Sequence, residues 1–227
     1  MQIKEHVMSD QNWDNVKKTI EGQEFQLGPY FGHQIASSPR HLLFSFSRYK
    51  FAAKMLKHNK KSSILELGCN EGIGSIMLTE NGGSYLGIDF DEAAIKYAQQ
   101  NVQNEFRKFK FESFMGNNYG KFDSIVSLDV IEHIYKQDED EFLKTIINNL
   151  NSDGHVVIGT PNDHATKYAS QASQIGHVNM FEPERLVSLC EKYFNNVFLF
   201  GLNDEVVHTG FSAMTHYIVV LCAYPKI

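Results

Sequence analysis

Cysteine is scarce. The 227-residue chain has three, Cys69, Cys190 and Cys222, scattered and without metal-ligand spacing, which suits a reducing compartment better than a disulfide framework. Long hydrophobic runs are missing: no segment approaches the ~18 apolar residues that a membrane span requires. The opening MQIKEHVMSD has no apolar stretch of the kind a secretory leader uses, so a cytoplasmic location is expected. Positive charge is not in excess. Lys and Arg number 21 against 27 for Asp and Glu, a formal net charge of -6, which argues against a broad basic surface for nucleic acid. No interleaving of basic and aromatic residues marks a single-strand RNA platform, and no amphipathic basic helix marks a membrane surface. A small-molecule partner is expected.

What the chain does have is alternation. Its length suits one α/β domain whose core needs neither disulfide nor metal. Residues 1–60 read as helical around a loop at 26–39, where QLGPYFGHQIASSP is rich in Gly, Pro, Ser and aromatics. Ser38-Pro39 has the form of an N-cap with proline at the first helical position. Leu42, Phe46, Tyr49, Ala53 and Leu56 then recur at helical spacing. From residue 62 strand and helix patterns take turns. SSILEL leads through a glycine-rich turn to a helix over 73–78, and SYLGID to a helix opened by Asp91 and Glu92. KFKFESF and FDSIVSLD follow, then a helix striped by Phe142, Leu143, Ile146, Ile147 and Leu150, then HVVIGT after the turn NSDG. A helix opening at Glu182-Pro183 precedes NVFLFGL and HYIVVLCAY, two strands with no helical pattern between them. Repeated β–α units predict a doubly wound, mostly parallel sheet with helices on both faces. The final pair, lacking a crossover helix, predicts an antiparallel hairpin at one edge. No repeat, low-complexity tract or linker divides the chain.

The sharpest signal is Glu66-Leu67-Gly68-Cys69-Asn70-Glu71-Gly72-Ile73-Gly74, between a predicted strand and a predicted helix, answered by Asp89 at the end of the second strand. Glycines let the backbone turn sharply and let a ligand approach without meeting a Cβ. Ligands of open α/β sheets bind beyond the carboxyl ends of the strands, where this turn lies. An acid at the second strand's tip can accept both hydroxyls of a ribose, so an adenosine-containing cofactor is expected. A dinucleotide fingerprint wants G-x-G-x-x-G. Counted from Gly68, its second glycine is Asn70, and the frame from Gly72 fails as well. Glu66, the spacing Gly68-x-x-x-Gly72-x-Gly74 and the antiparallel tail favour a methyl donor. An NAD-linked oxidoreductase and a non-catalytic cofactor-binding module are the alternatives.

ILELGCNEGIGS, YLGIDFDEAAI, KFDSIVSLDVIEHI and GHVVIGTPN together resemble the successive signature blocks of class I S-adenosylmethionine-dependent methyltransferases. The likeness runs over about residues 38–224, closest to the branch of ubiquinone-biosynthesis O-methyltransferases and small-RNA 2′-O-methyltransferases. It implies a seven-stranded Rossmann-like sheet with the last strand inserted antiparallel. It implies a single methyltransferase domain, with 1–60 as helical cap and acceptor loop and 61–227 as cofactor-binding core. It also implies S-adenosylmethionine as cofactor, with Asp89 on the ribose, Gly68 and Gly72 against the methionine portion, and Phe90 beside the adenine. Glu66, Cys69 and Asn70 complete the turn, Asn70 standing where the family usually has a glycine. Arg48, on the helix before the first strand, occupies a position where related enzymes often carry an arginine near the cofactor's carboxylate.

Leu128-Asp129-Val130-Ile131-Glu132-His133 follows the fourth strand. If the stretch turns helically, Asp129, Glu132 and His133 share a face, with Asp129 also within reach of the cofactor. Two carboxylates and an imidazole can hold a divalent cation such as Mg or Mn, or His133 can act as base toward the acceptor. They can also simply order the loop. In the RNA-methylating relatives an acid, an acid–His pair and a later histidine form a metal site. The matching positions are Asp129, Glu132, His133 and His177, with aspartate in place of glutamate at the first. The catalytic candidates are His133 and His177. Acceptor contacts are expected from Tyr30, His33, Arg40 and His41, from Asn162, His164, Lys167 and Tyr168, and from His208 and His216. Their polarity suits O-methylation of a small polar acceptor. Resemblance further suggests a sugar or phosphoramidate intermediate of bacterial surface-polysaccharide biosynthesis.

Overall fold

The computed structural model describes residues 2–22, 24–56 and 61–226; residues 57–60 of the expected cap lie outside them. Helices α1 (Gln2–Ile20), α2 (Pro29–Ser37) and α3 (Pro39–Met55) lead into β1 (Ser63–Leu67), α4 (Gly74–Leu78), β2 (Ser84–Asp89), α5 (Glu92–Asn101) and β3 (Arg107–Phe111). Then come β4 (Phe122–Leu128), α6 (Glu139–Asn149), β5 (Leu150–Pro161), α7 (Gln171–Gly176) and α8 (Pro183–Glu191). β6 (Phe194–Asn203), β7 (Val206–His208) and β8 (Tyr217–Pro225) close the chain.

One sheet runs β3-β2-β1-β4-β5-β8-β6-β7. The pairs among β1 to β5 are parallel, and β8 is antiparallel to both β5 and β6. Side chains alternate between the faces as strand geometry requires. Leu65, Leu67, Ile125, Ile218 and Val220 meet Phe142, Leu143, Ile146, Leu186 and Leu189 of α6 and α8 on one side. Ile64, Val126, Leu128 and Val219 meet Tyr49, Ala52, Ile95 and Ala98 of α3 and α5 on the other. Covering both faces leaves the strand tips as the open edge, which is where the turns after β1, β2, β4 and β5 gather.

Three expectations need correction. Among the described residues the sheet has eight strands, not seven, because Val206–His208 folds back on β6, pairing Gly201 with His208 and Asn203 with Val206. Three residues are too few for a period to register in the sequence. Residues 26–39 are not all loop: Pro29–Ser37 is helical, with Gly28 as N-cap and proline at its start, so the residues that read as breakers mark a helix entrance. NSDG is not a turn ahead of β5 but part of it. The register with β4 jumps from Phe122–Leu150 to Ser124–His155, and 151–154 bulge outward.

Candidate functional site

The turn after β1 owes its path to four residues. Gly68 and Gly72 have φ of 81° and 74°. A Cβ on Gly68 would stand 2.2 Å from Cγ2 of Val130, and one on Gly72 would stand 2.4 Å from the Phe109 ring. Asn70, where the resemblance expects glycine, also takes the left-handed conformation, at φ 48°. Asparagine tolerates that region best among residues with side chains, and its Oδ1 accepts the Glu71 N–H at 2.7 Å. Asp89 Oδ2 accepts the Asn70 N–H at 2.8 Å, and Oδ1 accepts the Asp91 N–H at 2.9 Å. The acid at the tip of β2 therefore braces the turn.

Other predicted residues take up different stations. Glu66 lies beneath the turn, 1% exposed. Tyr49 donates to its Oε1 at 2.7 Å and Tyr85 donates to its Oε2. Burial pushes this carboxyl up to about 7, against the downward pull of the two tyrosine hydroxyls. Cys69 is buried behind Gly87, and burial raises its thiol well above the ordinary value. Phe90 stands out from the sheet edge, 74% exposed. Arg48 lays its guanidinium 3.7 Å over the Tyr217 ring and donates to both oxygens of Asp129, at 2.9 and 2.7 Å.

The stretch after β4 does not turn as one helix. Asp129 has a φ of 57°, and only Ile131–His133 forms a short 3-10 turn, so the expected common face is broken. Asp129 goes to Arg48, whereas Glu132 points inward. Thr160 on β5 donates to Glu132 Oε2 at 3.0 Å, and Oε1 is buried without a partner among the described residues. Burial first, and the Asp129 charge second, raise this carboxyl to about 8. His133 Nδ1 lies 2.8 Å from the Gly176 carbonyl, a contact that assigns the proton to Nδ1 and leaves Nε2 with its lone pair. The Glu132 carbonyl accepts N–H groups from Val178 and Asn179 at 2.9 and 3.1 Å, which carries His177 to within 5.1 Å of the His133 ring. Burial, and then His133, lower the His177 pKa. Ligand atoms of Glu132, His133 and His177 all lie within 4.8 Å of one another. Val130, between Asp129 and this trio, is the residue that presses on Gly68, so the glycine turn and the trio are adjacent.

The expected acceptor residues divide. His33, Arg40 and His41 are exposed on the cap. Tyr30 packs edge-on against Phe31, and its hydroxyl is raised by burial and by Asp129. Asn162 is architectural: its Nδ2 donates to the Ser212 and Thr215 carbonyls at 3.1 and 2.8 Å. His164 approaches Glu182 at 3.7 Å. Lys167 lies over the Tyr168 ring, which faces His216, and His208 Nδ1 accepts the Gly210 N–H at 3.2 Å. Sequence reasoning missed Thr160, Tyr217 and Glu71. Each acts on a residue far away in the chain, so no local spacing announced it.

Comparison with known proteins accords with this geometry. A family model described as a methyltransferase domain matches residues 39–197. The ubiquinone biosynthesis O-methyltransferase of Acinetobacter baumannii (strain AYE) is 29% identical over 111 residues, 46% of either chain; the chain thus spans about half the length of the curated relatives it matches. A TehB-like SAM-dependent methyltransferase from Corynebacterium glutamicum superposes with a TM-score of 0.61 at 19% identity, over 87% of this chain and all (100%) of that one. The N-methyltransferase NodS of Bradyrhizobium japonicum, in complex with S-adenosyl-L-homocysteine, gives 0.62 at 16% identity over 85% and 91%. At such identities these structures speak to the fold. With a family match over more than half its length, a glycine turn answered by Asp89 and this sheet order, the chain belongs to the methyltransferase-domain family, within the class I S-adenosylmethionine-dependent methyltransferases.

Proposed function

We propose that the chain transfers the methyl group of S-adenosylmethionine to an oxygen of a small polar acceptor by direct displacement. The observation that supports this most is the Glu132, His133 and His177 group, with its unpartnered buried carboxylate oxygen, beside the glycine turn. Asp89 is our ribose ligand: two backbone N–H groups occupy part of its acceptor capacity, and a carboxylate offers about four lone-pair sites. Gly68 and Gly72 would border the methionine portion, and exposed Phe90 would stack beside the adenine. The Arg48–Asp129 pair suits the zwitterionic end of the cofactor, arginine toward its carboxylate and aspartate toward its ammonium.

Displacement needs the acceptor oxygen in line behind the methyl group and relieved of its proton. His133, through Nε2, and His177, whose pKa burial and its histidine neighbour lower, are the candidates to receive that proton. The same two histidines, with Glu132, offer ligand atoms within 4.8 Å of one another and so fit a divalent cation such as Mg or Mn, Asp129 standing outside the trio on Arg48. When bound, such a cation would bring an acceptor hydroxyl's pKa toward neutrality. The acceptor we favour is a sugar hydroxyl or a phosphoramidate of bacterial surface-polysaccharide synthesis, in keeping with the polar rim of Lys167, Tyr168 and His216. Titration calorimetry with S-adenosylhomocysteine, on chelated protein and again with Mn²⁺, tests the reading. One site for the nucleoside and separate heat for the metal are expected. A chain that takes up no S-adenosylhomocysteine would return attention to a dinucleotide.

A further inference from the structure

Glu71 has no part in the chemistry above, yet it is 2% exposed. Its carboxylate accepts the N–H of Tyr30 at 2.7 Å and of Phe31 at 3.2 Å, so an acid inside the glycine turn caps the first turn of α2, some forty residues upstream. Negative charge is favoured at a helix N-terminus, where N–H groups lack intrahelical partners. The neighbouring residues are shaped for the contact. A Cβ on Gly28, the N-cap of α2, would meet the Glu71 carboxyl carbon at 2.3 Å. Phe31 and Leu42 pack on Ile73, the residue after the turn's second glycine.

A hydrogen-bonded chain leads outward from there. Asp89 holds the Asn70 N–H, Asn70 holds the Glu71 N–H, and Glu71 holds α2. We infer that Glu71 is a positioning residue: it ties α2 to the cofactor turn, so that a bound cofactor orders α2 and sets Tyr30 over the acceptor side of the site. The inference rests on the cofactor reading above. Tyr30 is the residue whose N–H Glu71 holds at 2.7 Å, so its ring moves with that contact. In this arrangement the acceptor site is completed only after the turn is filled.

Hydrogen exchange of the whole chain, with and without saturating S-adenosylhomocysteine, tests the inference. In the parent, the ligand should slow amide exchange in α2 by about tenfold or more. In Glu71→Ala the ligand should still bind, but α2 should exchange at its free rate in either state. Glu71→Gln, whose amide oxygen can still accept one N–H, should recover part of the protection. Gly28→Ala, whose new methyl displaces the carboxylate at an ordinary φ of -72°, should behave like Glu71→Ala. Equal protection of α2 in parent and Glu71→Ala, or no response of α2 in a parent that binds the ligand, overturns the inference alone. A parent that binds no ligand overturns both it and the cofactor reading.

Discussion

Glu66 and Asn70 sit four residues apart, one hidden and one half-buried, and their neighbours explain the difference. Glu66 is the penultimate residue of a strand buried on both faces, so its carboxyl meets two tyrosine hydroxyls instead of water. Its pKa rises from 4.5 to about 7. Such an acid keeps its proton in the fold while the unfolded chain surrenders it. The fold should therefore lose stability as pH climbs from about 4.5 to about 7, by on the order of 3 kcal/mol, and recover none of it above. Glu66→Gln should remove that share of the slope and leave the share of Glu132, whose carboxyl is raised to about 8, and urea melts of both proteins at pH 5 and pH 8 would read it. A slope unchanged in the variant would mean that another group carries it. Asn70 was legible as a departure from glycine, but its consequence was not. Only the φ of 48° and the bond to Glu71 explain why asparagine serves.

At the scale of the element, α3, α5, α6, α8 and every strand but β7 followed from apolar periodicity, because each buries a face, whereas the six-residue α7 was not foreseen. Elements that bury little were the ones misread: α2, entered through Gly28 and Pro29, and β7, three residues held by one neighbour. The segment after β4 failed for another reason. Its expected helical face assumed ordinary φ at Asp129, which the pull of Arg48 and the packing of Val130 on Gly68 replace with a left-handed residue. Gly68→Ala places a methyl 2.2 Å from Val130 at a φ of 81°. It should cost about 2 kcal/mol or more and weaken S-adenosylhomocysteine binding. Adding Val130→Ala should return only the steric share, since the backbone strain stays. Denaturation of both variants checks this, and full recovery in the double variant would show that φ imposes no cost here.

Over the whole molecule, stability is unevenly spread. The two cores flank the sheet, whereas α1 is exposed along residues 9–20. The chain's one tryptophan, Trp13, lies there, 59% exposed. Its emission should barely respond when circular dichroism records the cooperative melt, and a coincident red shift would show that α1 packs against something in solution. Ligand should act on the cores instead. S-adenosylhomocysteine at a hundred times its dissociation constant should stabilise the chain by about 2.7 kcal/mol, visible as a raised Tm; NAD at millimolar concentration should leave the Tm where it was.

By itself the sequence determined what depends on neighbours in the chain: the order of the strands and helices that bury an apolar face, the flexible glycines of the turn, the acid that closes β2, and through them the family. Those features are set by backbone freedom and by apolar period, both local. The tertiary structure alone decided which polar groups meet. It turned Asp129 to Arg48, joined Glu132 and His133 to His177 across forty-four residues through a shared carbonyl, and placed α2 on Glu71. Pairings of this kind lower the cost of burying charge, and that cost is defined only once the fold has removed the water.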